Sequence, residues 1–147
     1  MQRSAKGQLF TDIVLEVFKL AGLLANEGDR LGKEQDMSSA RWKVLGALAR
    51  EGAPMTVSQI AHSMGQSRQG VQRLANELHV LDVLEFVDNP AHKKAKLLSL
   101  TPKGLQVLQM LEQQQIPWAE NCSRGEDIRR LEATLEQLRA LSSKFQG

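Results

Sequence analysis

The sequence predicts a mainly α-helical fold with a small β-hairpin wing, a winged helix-turn-helix carried between N- and C-terminal dimerisation helices. Three observations predict it. Two amphipathic segments, starting at Thr56 and Ser67, are separated only by Gly65-Gln66, a turn short enough to make two helices cross steeply. Directly after them, Leu84 to Val87 and Ala95 to Leu100 are short runs suited to strands, joined through Asp88-Asn89-Pro90 and a basic tip. On both sides, long stretches carry apolar residues at helical spacing.

The bulk properties narrow the class without choosing the function. A chain of 147 residues that is 41% hydrophobic and 24% charged is long enough to bury its own core as one domain, 1–147. Its expected parts are a winged lobe at 37–101 and dimerisation helices at 1–36 and 102–147. No apolar run approaches the roughly 20 residues of a membrane span, and no apolar core follows the first charges. A single cysteine, Cys122, excludes an internal disulfide and suits a reducing compartment, so a cytoplasmic location is expected. The net charge of +2 is too small to indicate a nucleic-acid partner. Its distribution is more informative: Arg68, Arg73, Lys93, Lys94 and Lys96 gather in the helix-turn-helix and wing, whereas Glu112, Glu120, Glu126, Asp127, Glu132 and Glu136 lie towards the C-terminus.

Taken in order, Phe10, Ile13, Val14, Val17, Phe18, Ala21 and Leu24 predict a first helix with a buried face, ending near Asn26 to Gly28. The polar segment EGDRLGKEQD then reads as a loop. Ser38 is placed to cap the second helix, with Met37 and Trp42 as a hydrophobic staple and Trp42, Leu45, Leu48 and Ala49 as its buried stripe. Gly52 and Pro54 end it, and Met55-Thr56 is long enough only for a minimal strand. Thr56 and Gln59 have capping-box spacing for the third helix, whose inward residues are Ile60, Ala61 and Met64. In the fourth, capped by Ser67, Val71, Leu74, Ala75, Leu78 and Leu81 share one face. Thr101-Pro102 is a strong start for the fifth helix, with Leu105, Leu108 and Leu111 inward until Pro117 kinks or ends it. The last helix, from near Gly125, places Ile128, Leu131, Leu135, Leu138, Leu141 and Phe145 on a seam that wants a partner helix.

The outward face of the fourth helix is suited to a DNA major groove. Gln69, Gln72, Arg73 and Asn76 recur at i, i+3, i+4 and i+7, and these side-chain types hydrogen-bond adenine and guanine edges in bidentate fashion. Ser67 and Arg68, at the helix start, are better placed for phosphate, aided by free backbone amides. At the hairpin tip His92, Lys93, Lys94 and Lys96 are expected along phosphates or in an adjacent minor groove.

With those residues in place, the chain resembles the multiple-antibiotic-resistance regulators, the MarR family. The resemblance spans nearly the whole chain and rests on TVSQIAHSMGQSRQGVQRLANEL followed by LEFVDNPAHKKAKLLSLTPKG, where a wing feeds directly into a Leu-Thr-x-x-Gly helix start. It implies an obligate homodimer whose first and last two helices interlock. Two winged lobes would read a pseudo-palindromic operator in double-stranded DNA. Repression would be relieved by a small, often aromatic or phenolic, effector held between lobe and dimerisation helices. Met37, Arg41, Trp42 and His62 are the candidate lining of such a pocket. The chain departs from the family pattern at the wing, where His92 and Lys94 replace an aspartate and an arginine. Lysine keeps the charge but loses the planar fork, so the wing contact is expected to be weaker and the tip to lack acid–base pairing. Asp82 stands where many relatives have glycine, and aspartate tolerates the left-handed conformation.

Other classes fit less well. A winged module that binds protein in place of DNA would favour exposed apolar anchors over a Gln- and Arg-bearing face. No nucleophile–base pair, phosphate-cradling glycine loop or metal-ligand spacing is present, so neither an enzyme nor a cofactor or metal is expected. His62, His79 and His92 are scattered, and Cys122 reads as a passive thiol.

Overall fold

Five of the six helices in the computed structural model, which describes residues 1–146, begin at a hydroxyl side chain that accepts from an otherwise unpartnered backbone amide. Ser4 caps α1 (Ala5–Gly32), Ser38 caps α2 (Ser39–Glu51) and Thr56 caps α3 (Val57–Met64). Ser67 does so for α4 (Arg68–Val80) and Thr101 for α5 (Pro102–Ser123), whose second signal is proline in the first turn. At α3 the reciprocal pair is complete, Gln59 N donating to Thr56 Oγ1 at 3.1 Å and Thr56 N to Gln59 Oε1 at 2.9 Å. The sixth helix, α6 (Ile128–Phe145), has no side-chain cap.

The lobe is α2, α3 and α4 closed by a three-stranded antiparallel sheet. Its strands β1 (Met55–Thr56), β2 (Leu84–Val87) and β3 (Leu97–Leu100) lie in the order β1-β3-β2. Met55 pairs with Leu98, and Leu98 with Phe86 on its other side. Val44, Leu45, Ile60, Val71, Leu78, Leu84 and Leu98 are all fully buried, so one core holds the three helices against the sheet. Gly65 closes α3 at φ 65°, a left-handed turn that costs glycine little, and α4 begins three residues later.

Several expectations are corrected. α1 does not stop at Asn26 to Gly28; it runs to Gly32 and is followed by a single 3-10 turn, Lys33–Gln35, so most of EGDRLGKEQD is helical. Gly28 and Gly32 mark close approach to the chain that follows. A Cβ on Gly28 would lie 2.7 Å from Ser39 Cβ, and one on Gly32 would lie 2.1 Å from the Met37 carbonyl oxygen. β3 begins at Leu97 and not Ala95, because the Ala95 amide and carbonyl are used in the wing turn. α5 continues through Pro117, whose missing amide lies on an exposed stretch where water can bond the freed carbonyl. Ala49 and Leu105, expected inward, are exposed.

The largest departure is α1 itself. The expected buried face is largely open in the single chain: Phe18 is 70% exposed, Leu24 45% and Ile13 43%, and only Gly32 of α1 is buried. The α6 seam is open as well, with Ile128 at 69% and Leu135 at 47%. With 28 residues, α1 is about 42 Å long, so it projects beyond the lobe it could pack on. Glu27 ties it to α5, accepting from Trp118 Nε1 at 3.3 Å and from Arg30 Nε at 3.0 Å. The Arg30 and Trp118 hydrogen bonds hold the Glu27 carboxyl below its ordinary range. The tie is present above that range and is lost as pH falls through the lowered value.

α5 meets the lobe through its first turn. Thr101 Oγ1 donates to the Asp82 carbonyl at 2.7 Å and accepts from Gly104 N at 3.0 Å, while Thr101 N donates to the Val83 carbonyl at 3.2 Å. Gly104 is pressed so closely that a Cβ would lie 2.0 Å from Val83 O, a backbone atom with no freedom to swing away. Gly104→Ala is expected to destabilise the protein by about 3 kcal/mol, lowering the melting temperature by roughly 10 °C. Calorimetry at matched protein concentration checks this, and an unchanged melting temperature would contradict the close approach.

Candidate nucleic-acid interface

α4 shows two chemically distinct faces. Val71, Leu74, Ala75 and Leu78 are buried, while Arg68, Gln69, Gln72, Arg73 and Asn76 are exposed along the opposite side. The helix is amphipathic because its inward residues fall at helical spacing, and packing on α2 and α3 then fixes which side meets solvent. Gln72 Nε2 donates to Asn76 Oδ1 at 3.0 Å, one turn along the same face. Ser67 Oγ is engaged as a cap by Gly70 N at 3.0 Å, leaving its hydroxyl proton free to donate.

The end of α4 is locked as firmly as its start. Asp82 adopts φ 62°, the left-handed conformation expected of it, and Val83 N reaches back to the Leu78 carbonyl at 3.2 Å. Lys103 Nζ donates to the Leu81 carbonyl at 2.9 Å, placing a cation at the negative end of the helix. His79 is engaged structurally: Nδ1 lies 3.3 Å from the Leu84 carbonyl oxygen, and its ring meets Phe86 edge-on at 5.2 Å.

The wing tip is ordered by an asparagine. Asn89 Nδ2 donates to the Ala95 carbonyl at 3.0 Å, Asn89 Oδ1 accepts from Ala91 N at 3.1 Å, and the Asn89 carbonyl accepts from His92 N at 3.2 Å. Lys96 Nζ lies 3.8 Å from Asp88 Oδ1, an ion pair between exposed groups at the base of the wing and away from its tip. The signal for Asn89 was in its position between Asp88 and Pro90, legible as a turn but not as the tip's organiser.

Between α4, the start of α3 and the wing lies a hollow of about 460 Å³. Gln72, Asn76, Lys94 and Lys96 line it together with Thr56 and Ser58, two residues not among the expected DNA contacts. Arg68, Gln69, Arg73, His92 and Lys93 are exposed outside it, at the helix start, along its flank and at the tip. Amide and hydroxyl groups on one wall and ammonium groups on the other make a surface for a polyanion with hydrogen-bonding edges.

The candidate effector residues do not converge. Met37 is buried in the core, and Arg41 is committed to Glu77 at 3.1 Å and to the Asp36 carbonyl at 3.0 Å. Trp42 lines a hollow between α2 and α5, whereas His62 lines a different one between α2 and α3. Sequence spacing does not reveal which sides of two crossing helices face the same space.

Residues 35–95 match the sequence profile of the MarR family. An uncharacterized protein of Mycobacterium tuberculosis is 36% identical over 129 residues, 88% of this chain and 89% of its own. The chain belongs to the MarR family. A second relative, the transcriptional activatory protein BadR of Rhodopseudomonas palustris, is 25% identical over 114 residues, 76% of this chain and 65% of BadR. The crystal structure of CouR from Rhodococcus jostii RHA1, bound to p-coumaroyl-CoA, is similar in fold with a TM-score of 0.80 at 14% identity. That likeness covers 89% of this chain and 92% of CouR. This MarR-family protein is a DNA-binding transcriptional regulator with a winged-helix fold. No helix among the described residues is long and apolar enough to cross a membrane.

The wing turn yields its own test. Asn89→Ala removes two side-chain hydrogen bonds from an exposed tip and is expected to speed amide exchange at Ala91 and Ala95 by about fivefold, with little change in global stability. Hydrogen exchange followed by NMR reads this directly; unchanged protection would show that the backbone holds the turn without Asn89.

Proposed function

We propose that the protein is a homodimeric repressor that reads a pseudo-palindromic operator and lets go when a small-molecule effector binds. The observation that carries the DNA reading is the shared hollow in which Gln72 and Asn76 on α4 face Lys94 and Lys96 of the wing. Within this reading Gln69, Gln72, Arg73 and Asn76 contact base edges, and Ser67 and Arg68 hold phosphate at the helix start. His92, Lys93, Lys94 and Lys96 follow the backbone or the neighbouring minor groove. The lobe at 37–101 is the reader, and the helices on either side of it set the distance between two copies.

The open apolar surfaces support dimerisation. α1 and α6 together form a hollow of about 550 Å³ lined by Phe10, Val14, Phe18, Leu138, Leu141 and Phe145. A surface of that size and character is costly in water, and a second copy of the chain removes it from solvent. Release by an effector draws on a different feature, the hollow of about 390 Å³ between α2 and α5. Trp42, Leu105 and Leu108 supply its apolar walls, and Arg50 and Glu112 one charge of each sign, a combination suited to a small aromatic ligand with a polar group. Such a ligand bridges lobe and dimerisation helix, so it can favour one orientation of the lobes over another.

Activation is a second reading, favoured by the similarity to BadR, whose name describes an activatory protein. A reporter with the operator placed across the promoter, then upstream of it, separates the two: repression falls with the overlap, activation survives the upstream placement.

Selection from a pool of random duplexes is expected to return sites with half-sites about one helical turn apart. Affinity should fall with salt at a slope of about 0.9 per phosphate neutralised, and Arg73→Ala or Lys94→Ala should each reduce affinity. A purified dimer with no salt-dependent preference for any selected duplex would refute the reading. If the protein carrying both Arg73→Ala and Lys94→Ala loses DNA but keeps a protein partner, the lobe also serves as an interaction module.

A further inference from the structure

We propose that Arg41 is a positioning residue, coupling the orientation of α1 to that of the reading helix α4. The inference rests on the reading of α4 as the operator-reading element and names what holds it in register with the dimerisation arm.

The connection between arm and lobe is short and tightly made. α1 ends against the start of α2 at Gly28 and Gly32, where neither glycine has room for a Cβ. Asp29 on the last turns of α1 accepts from Ser39 N at 2.7 Å, adding a second cap to α2. Between them the chain reverses at Asp36, held left-handed at φ 56°. This is one of two non-glycine residues with positive φ among those described, and its backbone conformation is strained for any side chain other than asparagine or aspartate.

Arg41, in the first turn of α2, reaches that elbow on one side and α4 on the other. Its Nη1 donates to the Asp36 carbonyl at 3.0 Å and lies 3.6 Å from the Asp36 carboxylate. Its Nε donates to Glu77 Oε1 on α4 at 3.1 Å. The Arg41 side chain is 24% exposed and that of Glu77 37%, so the guanidinium is shielded enough for its geometry to hold. Glu77 directly follows Asn76, so the tether acts on the turn of α4 that also carries a proposed base reader. The rigid fork of arginine suits this task; a lysine ammonium offers no fixed angle between two acceptors. One planar group therefore fastens the elbow and the reading helix to each other.

In a dimer, the two reading helices must meet half-sites at a set separation, and any slack between α1 and α4 is slack in that separation. Removing the tether should therefore flatten spacing discrimination, whereas loss of a phosphate contact lowers affinity at every spacing alike.

The test uses the full chain carrying Cys122→Ser, with spin labels at Lys19→Cys on α1 and Val80→Cys at the end of α4. Labelled protein is diluted into unlabelled protein so that distances within one chain dominate. Adding Arg41→Met is expected to broaden the α1–α4 distance distribution, and Glu77→Leu to broaden it equally. Glu77→Gln, which keeps the acceptor, should leave it narrow. On selected duplexes whose half-sites are moved apart by single base pairs, Arg41→Met should reduce the preference for the best spacing about tenfold. Melting temperatures report whether each variant is folded at the temperature of measurement. An unbroadened distribution in folded Arg41→Met, or a spacing profile that keeps its shape while affinity drops uniformly, overturns the proposal. Broadened distances in a protein that selects no duplex would uphold the tether and refute the DNA reading instead.

Discussion

The contact on which the rest of this structure depends is the one between the first turn of α5 and the turn that ends α4. Thr101 bonds the Asp82 carbonyl, Gly104 lies against the Val83 carbonyl, and Lys103 takes the Leu81 carbonyl. The Thr101 hydroxyl and amide and the Lys103 ammonium thus satisfy three successive carbonyls where the reading helix becomes the wing. Without them the end of α4 would leave polar groups unpartnered at a partly buried junction. With them, the end of the helix, the first wing strand and the first turn of α5 are fastened together. A Leu-Thr-x-x-Gly start is therefore a fastening between reader and arm, with the threonine needed for its two hydrogen bonds and the glycine for space.

A second fastening joins the N-terminal arm. There Gly28 and Gly32 allow α1 to close on α2, and Arg41 links the elbow to α4. The reading helix is consequently held at its C-terminal end by α5 and along its length by α2. Its outer face carries no such ties except the Gln72–Asn76 bond. That division suits an element whose inner face must be rigid and whose outer face must exchange partners with a ligand. It also explains the placement of charge: the lysines of the wing are exposed at the end of a short hairpin, where desolvating them costs little until a polyanion arrives.

Much of the lobe was legible in the sequence because its signals are local. Caps at Ser38, Thr56, Ser67 and Thr101, the turn at Gly65 and the left-handed Asp82 each depend on a few neighbouring residues and rules of backbone geometry. The candidate site was legible in part for the same reason. Helical spacing alone puts Gln69, Gln72, Arg73 and Asn76 on one face, but spacing is silent about Thr56 and Ser58, which reach that hollow from the start of α3. Gly28 shows the limit most clearly. Read locally it is a stop signal; in the fold it lies inside a helix, at a contact with a residue eleven positions later.

The sequence by itself determined where helices start, which of their faces are apolar and which side chains are available to read a duplex, because those properties follow from periodicity and from hydrogen bonds within a turn of chain. The tertiary structure decided what each apolar face meets. It buried the inner face of α4, left Leu105 and Ala49 open, and separated Trp42 from His62. It also turned Arg41 from a possible pocket wall into a tether between the elbow and the reading helix. Those outcomes depend on how helices cross and which side chains then compete for the same space, and a helix's own periodicity carries no information about its neighbours.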